Sequence, residues 1–475
     1  MGNTAKVKVG LLGLTLEFYE ADPAVRKGRD AWVRAQVLPA LAPYADVIFH
    51  GAVFNREAVD REVAALEAAG AEVLLVMVLT YHTSLSTLPA LRNTRLPILI
   101  WNTQELYAVD EHYGSAELTN NHGVHGTFDL ANVLVRSGVR FGYHTSHLSD
   151  SGAIEELAGQ LRAAAAVTHL RRMRLGVIGY PFPGMGDFGL DTTHMAATLG
   201  CETTTLAMSE YQAQVRAAGG AEVAELVSTY RREHQVAPDV TEEALAATAR
   251  AELALRSLIR EYRLDAYSYQ FLAFGKDPEA ETIPFVAACR LMAEGIGFGG
   301  EGDLISAAFA TALDRLAGAA SFTEIFTIDF AGNALFLSHM GEANVGMART
   351  DGPVPLVTGN PIVPLRYGQL VMPIRYQPGP ATLAALTLTG HNRWRILASP
   401  VEIADTPLLA QIRSPQSKVV PRGDVREWLN AYGAAGGPHH MAICFGDACR
   451  RLELLATLLG ADYVEIQAGR RLLCL

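Results

Sequence analysis

The sequence predicts an α/β protein: two Rossmann-like doubly wound domains followed by a C-terminal β-rich, barrel-like domain. Three observations carry this. Near-continuous apolar, β-branched runs alternate with amphipathic helical stretches in the first part of the chain, the pattern of a parallel sheet covered on both faces. The alternation restarts at Arg174-Leu-Gly-Val-Ile-Gly-Tyr-Pro. From about residue 322 helix gives way to short runs punctuated by Pro and Gly, the mark of an antiparallel sheet or small barrel. A chain of 475 residues is too long for one core, and domains of roughly 100–200 residues make about three. The expected divisions are 1–172, 173–322 and 323–475.

In the first domain strands are expected over 6–18, 46–54, 72–80, 98–102 and 140–144, with helices over 23–41, 57–69, 129–137 and 152–166. The basic stretch His169-Leu-Arg171-Arg172-Met-Arg174 is the expected solvated hinge. Beyond it, strands at 203–207 and 265–270 flank a strongly helical 242–262, and helices near 284–294 and 304–316 close the unit. In the third domain, 325–330 and 334–339 flank Ala331-Gly332-Asn333, a plausible hairpin turn. Strands over 354–357, 369–376, 382–389 and 394–402 follow, and helices near 424–432 and 446–459 end the chain.

Composition narrows the function. Hydrophobic residues make up 49% and charged residues 19%, as in an ordinary globular protein. A net charge of −11 argues against a nucleic-acid surface, which is normally basic. No apolar stretch approaches the roughly 20 residues that cross a bilayer, so no membrane role is expected. No apolar leader precedes the first strand, and Lys6 with that strand argues against myristoylation at Met1-Gly2. Five scattered cysteines, an odd number, fit a reducing cytoplasm. Cys444 and Cys449 suit no common zinc spacing and read as small buried hydrophobes. Gly10-Leu-Leu-Gly13 lacks the full dinucleotide fingerprint, which excludes nicotinamide binding.

The chemistry gathers late in the chain. Glu301 lies between glycines in Gly299-Gly300-Glu301-Gly302-Asp303, where a backbone can approach a ligand closely. Asp303 has a structural reading as the N-cap of the next helix. Glu324 and His339 face each other across the expected hairpin, and Glu342 follows as a supporting partner, a ligand or a surface charge. Gly-Gly-Pro-His439-His440 places two histidines on an expected turn; adjacent loop histidines diverge, so at most one ligates and the other is left for substrate. Two carboxylates and two imidazoles on separate elements can close around one divalent cation, and mixed O/N ligands suit Mn²⁺, Co²⁺ or a similar ion. A second cluster, Asn120-Asn121-His122-Gly123-Val-His125-Gly126, reads either as a substrate loop at a sheet's carboxyl edge or as a capped loop before a helix. His144 and His147 read as makers of structural hydrogen bonds.

The segments Gly-Phe-Gly-Gly-Glu301-Gly-Asp, Ser-Phe-Thr-Glu324, Ser-His339-Met-Gly-Glu and Gly-Gly-Pro-His439-His440 resemble, in order and spacing, the L-arabinose isomerase family, with the L-fucose isomerases more distant. The resemblance implies Mn²⁺, or else Co²⁺ or Mg²⁺, held by Glu301, Glu324, His339 and His440, with His439 near the sugar. It implies a homo-oligomer, a hexamer, in which a neighbouring subunit donates His125 to the substrate; His122 of the same cluster is a further candidate contact. Where the family carries a substrate-binding Gln, this chain has Leu16 or Glu17, and Glu17 is the candidate contact. The acid and tyrosine that follow the second metal glutamate are here Ile325 and Phe326. The expected function is a metal-dependent aldose–ketose isomerase acting on a pentose or deoxyhexose through an enediol, with Glu301 and Glu324 as acid and base. The alternatives are a metal-dependent epimerase or lyase on a sugar or sugar acid, and a non-catalytic sugar-binding protein.

Overall fold

The computed structural model describes residues 6–150 and 152–469; Met1, Gly2 and Cys474 lie outside that range. The described chain forms two compact units, residues up to 169 together with 453–460, and residues 170–452 together with those from 461 onward.

In the first unit, β1 (Val7–Leu14), β2 (Ala45–Ile48), β3 (Val73–Val78), β4 (Ile98–Asn102) and β5 (Phe141–Thr145) form an all-parallel sheet in the order β2-β1-β3-β4-β5. That order is shared with flavodoxin-type sheets. Every residue of β3 is buried, as expected of a central strand whose whole run is apolar. Leu12, Leu74, Val76, Val59, Val63 and Leu134 lie in its core, where the helices Arg56–Ala68 and Gly123–Arg136 pack on the strands.

Two expectations change here. The strand expected over 46–54 ends at Ile48. The expected loop 120–126 is helical from Gly123, because that glycine serves packing rather than looseness: a Cβ there would meet the Val78 carbonyl oxygen at 2.1 Å. The basic stretch after 169 falls where the two units divide, with Arg171 and Arg172 exposed. The helix Ala153–Leu170 runs into it and Met173 is fully buried, which leaves a short turn before the next strand.

The second unit opens with β6 (Arg174–Ile178), β7 (Glu202–Leu206), β8 (Gln235–Val236), β9 (Ala266–Tyr269) and β10 (Gly297–Gly300). Four of them make a second parallel sheet, ordered β10-β9-β6-β7. Then come β11 (Ala320–Asp329), β12 (Ala334–Ser338), β13 (Pro355–Thr358), β14 (Leu370–Val371), β15 (Gly379–Leu388), β16 (Trp394–Ile403), β17 (Gln416–Pro421), β18 (His440–Phe445) and β19 (Asp462–Glu465). The strands β15-β18-β11-β12-β17-β16 pair antiparallel in turn, and β16 pairs back to β15, closing a six-stranded barrel. Closure removes the exposed edges an open sheet would present. β8 pairs with β13, which pairs with β14, in a small separate sheet.

Leu335, Leu337, Leu383, Leu397, Val419 and Ile443 belong to one core cluster of this unit, together with Trp428 from the helix Val425–Ala434. The β11–β12 hairpin forms as the spacing predicts, with Asp329 accepting from the Gly332 N–H in the turn.

Candidate metal and substrate site

Glu324 sits on β11, flanked in register by Ser338 of β12 on one side and His440 of β18 on the other. His339 follows Ser338 directly. Three strands of the barrel therefore deliver a carboxylate and two imidazoles to one place. One ligand atom each from Glu324, His339 and His440 lies within 4.8 Å of the others. A second such group is Glu301, His439 and His440, so His440 is common to both. That spacing is near twice the roughly 2.1–2.5 Å of a hard divalent ion's metal–oxygen bond.

Glu301 arrives from the end of β10. Its φ of 64° is left-handed, a conformation that costs a non-glycine residue about 1–3 kcal/mol and that clusters at functional sites. The preceding Gly300 is required by space: a Cβ there would lie 2.8 Å from His339 Cε1. Gly302 (φ 93°) likewise leaves no room, because a Cβ would meet Pro181 Cα at 2.4 Å.

Each buried histidine is aimed by a carboxylate. Glu342 accepts from His339 Nδ1–H at 2.6 Å and is itself held by the Tyr269 hydroxyl at 2.7 Å and the Gly341 N–H at 3.0 Å. Asp303 caps the helix Leu304–Ala317 through the Ser306 N–H at 2.9 Å, and its other oxygen accepts from His440 Nδ1–H at 3.0 Å. A carboxylate only accepts, so both rings carry their proton on Nδ1 and turn Nε2 outward. His440 Nε2 is buried with no hydrogen-bond partner, 3.8 Å from Glu301 Oε2. An orphaned buried imidazole nitrogen facing carboxylates fits a divalent cation's donor set.

Electrostatics agree. Burial raises the Glu301 carboxyl against the opposing pull of His339 and His440. Burial alone would lower His339, yet Glu342, Glu324 and Glu301 outweigh it and the net direction is up. The Phe322 ring meets both imidazoles edge-on, with centroids 4.8 Å from His339 and 4.9 Å from His440. Phe188 stacks on His440 at 5.4 Å.

His439 precedes β18 directly and His440 is that strand's first residue, so the pair opens a strand where a turn was expected. His439 pairs with Asp187 instead of Asp303.

The first unit carries the other expected substrate residues. His125 lies exposed in the first turn of the helix Gly123–Arg136, stacked on Tyr81 at 4.8 Å. His122 precedes that helix, 5.2 Å from His125, and takes the Tyr19 hydroxyl at 2.9 Å. Burial lowers its pKa, which favours the neutral ring. Glu17 is exposed and accepts from Asn55 Nδ2 at 3.2 Å. Of the altered positions, Ile325 packs against the barrel core, while Phe326 is half-exposed with its ring 6.4 Å from His339. His144 bonds Gln160, and His147 bonds Ser149 and the Glu105 carbonyl. Burial raises the Cys444 and Cys449 thiols to about 12, which keeps them inert.

Two family models match this chain, the L-arabinose isomerase central domain over residues 189–319 and the L-arabinose isomerase C-terminal domain over 319–462. Together they span more than half of it. The chain belongs to the L-arabinose isomerase family. Similar proteins carrying that name include those of Acidothermus cellulolyticus, 28% identical over 84% of this chain and 82% of the relative, and Nocardioides sp., 29% identical over 79% and 76%. The Geobacillus kaustophilus protein is 27% identical over 92% of this chain and 88% of its own. Family membership makes the chain an enzyme, a sugar isomerase of the intramolecular oxidoreductase class, and the low identities make it a divergent member.

Asp187, Phe188 and Tyr19 carry contacts at these places that the sequence did not flag. No periodicity or spacing marks them; Pro181, Pro183, Gly184, Gly186 and Gly189 are the local sign that residues 181–190 form an irregular strap.

Proposed function

We propose that this family member is a divalent-metal-dependent aldose–ketose isomerase acting on a pentose or deoxyhexose through an enediol. The supporting observation is the meeting of Glu324, His339 and His440 within 4.8 Å, with Glu301 beside His440. In this reading Glu301, Glu324, His339 and His440 hold Mn²⁺, Co²⁺ or Mg²⁺. When bound, the ion polarises the carbonyl and neighbouring hydroxyl of an open-chain sugar.

The protein's own groups do the rest. One of Glu301 and Glu324 removes the proton from C2 and returns it to C1, while the other moves the hydroxyl proton. Burial raises Glu301 above the ordinary carboxylate range, the direction that favours a group which must both give and take a proton. Glu342 and Asp303 hold the imidazoles in one tautomer. The aromatic walls Phe322 and Phe188 keep bulk water from their flanks.

His439, His125, His122 and Glu17 are proposed substrate contacts, the last three supplied by a neighbouring subunit of a homo-hexamer. Exposed Phe18, Leu118, Val124 and Phe128 close to them in sequence are the kind of surface a subunit contact covers. The division at 172 and 322 belongs to the same reading, as does a cytoplasmic setting, in keeping with four free, buried cysteines among the described residues. A molar mass of six chains by light scattering checks the assembly.

The deciding experiment incubates aldopentoses and 6-deoxyaldohexoses in ²H₂O with Mn²⁺ and follows products by NMR after the metal is removed. A ketose with deuterium at C1, or an aldose with deuterium at C2, is the expected result. A C2 epimer without ketose would replace the isomerase with an epimerase, and a dehydrated product with a lyase. Tight binding without turnover would leave a sugar-binding protein.

A further inference from the structure

Residues 181–190 run from β6 to the helix Thr192–Thr198 without regular structure, yet they touch the site three times. The Phe182 N–H donates to the Glu301 carbonyl at 2.8 Å. Phe188 is buried against His440, the two rings only 9° from parallel. Asp187 Oδ2 accepts two hydrogen bonds from one residue, the backbone N–H of His439 at 3.0 Å and its ring Nδ1–H at 2.5 Å. The His439 Nε2 left behind is buried and has no partner.

The arrangement repeats that of His339 on Glu342 and His440 on Asp303. Three imidazoles, each with Nδ1 on a carboxylate, each present Nε2 as a lone pair. Burial works to raise the Asp187 carboxyl, but the two bonds from His439 outweigh it, so Asp187 stays an acceptor. His440 belongs to both candidate metal groups and His439 only to the one with Glu301, so the proposed ligand set of Glu301, Glu324, His339 and His440 leaves the His439 Nε2 over. A free, oriented acceptor beside a proposed sugar site is suited to a hydroxyl donor.

We propose that Asp187 is a positioning residue for His439: it fixes the ring with Nδ1 protonated, so that Nε2 accepts a hydrogen bond from a hydroxyl of the bound sugar. This rests on the isomerase reading above. Asp187 touches neither metal nor substrate; it acts through His439.

The test uses the full-length protein and the variants Asp187→Ala, Asp187→Asn, His439→Ala and the Ala/Ala double. Asp187→Ala is expected to raise KM for the turned-over aldose about tenfold or more, the worth of one oriented hydrogen bond, with kcat nearly unchanged. Asp187→Asn is expected to restore most of the loss, because its amide oxygen can accept the same two N–H groups. Asp187→Ala should cost nothing further in the His439→Ala background. Mn²⁺ affinity by calorimetry should be the same in all five proteins.

Additive losses in the double variant would reduce Asp187 to a loop-holding role, and a tenfold fall in Mn²⁺ affinity on losing His439 would make that ring a ligand. Either result overturns the proposal. Two readouts need no turnover: the His439 ring orientation in crystals of wild type and Asp187→Ala, and binding of L-arabinitol by calorimetry. If no sugar is isomerised, the isomerase reading falls. The proposal then stands only if the ring turns in Asp187→Ala and L-arabinitol affinity drops with it, and an unmoved ring overturns it.

Discussion

Asp303 shows how much one side chain carries. One oxygen caps a helix and the other aims His440. Substitution separates the roles. Asp303→Ser keeps a capping oxygen but cannot reach the imidazole, whereas Asp303→Ala loses both. Both variants should bind Mn²⁺ roughly 10–100-fold more weakly, the usual cost of losing a ligand's supporting partner. Only the alanine variant should lose a further ~1 kcal/mol of stability from the uncapped helix. Calorimetric Mn²⁺ titration and denaturant melts check the two separately. Glu301→Ala and His339→Ala should abolish tight Mn²⁺ binding, and full metal content in both variants would remove the site.

The titrations of the proposed ligands set a pH window. Glu301 and His339 are both raised, so in the metal-free protein each holds its proton to a higher pH than usual. Metal can bind only after those protons leave. Mn²⁺ affinity should therefore fall as pH drops, beginning above the ordinary histidine range and continuing through a raised carboxylate range, with proton release measurable in buffers of different ionisation enthalpy. These residues were legible in the sequence because glycines, and a hairpin of short span, announce them locally. Asp187 was not: it lies 252 residues from the histidine it holds, and nothing local distinguishes it from any loop aspartate.

At the scale of elements, the site depends on glycines that admit close approach. Gly300→Ala would place a Cβ 2.8 Å from His339 and 3.0 Å from Phe322. The strand should survive while His339 is displaced, so Mn²⁺ affinity should fall tenfold or more with a melting temperature shifted by only a few degrees. Gly123→Ala is the contrasting case. Its Cβ meets backbone, the Val78 carbonyl, so the helix must move and stability should fall by about 1–3 kcal/mol in a denaturant melt.

Glycines also explain what the sequence hid. Gly123 and Gly126 looked like loop punctuation, but a glycine is equally the residue that lets a helix touch a strand. The barrel was legible as a class and not as a closure: which of six strands pair is set by register between segments far apart, such as β15 with β18, and periodicity within a segment carries none of that.

Across the whole molecule, two units with their own apolar cores divide the chain, and the metal-ligand candidates all lie in the second. A ligand stabilises only the folded unit that binds it, by about 2.7 kcal/mol at a hundred times its Kd. Mn²⁺ should therefore slow hydrogen exchange in β10, β11, β12 and β18 and leave β1 to β5 at their metal-free rates. Protection spreading equally to β1–β5 would show that the units do not respond separately. The α/β class and a β-rich end were readable because composition and periodicity are properties of long stretches. The division into units was less so, since the segment 453–460 belongs with the first unit although it is near the end of the chain.

The strap 181–190 has one more consequence, for how such enzymes diversify. The candidate ligands Glu301, Glu324, His339 and His440 come from a closed barrel and the end of a parallel sheet, where a change in one strand disturbs its neighbours. The strap is bound to no ladder. A lineage can rewrite it, and with it the surroundings of His439, while the candidate ligands Glu301, Glu324, His339 and His440 are inherited intact. New sugar preferences then arise by exchanging a ten-residue surface segment rather than by rebuilding a catalytic centre, and grafting that segment between relatives should move substrate choice while metal content stays fixed.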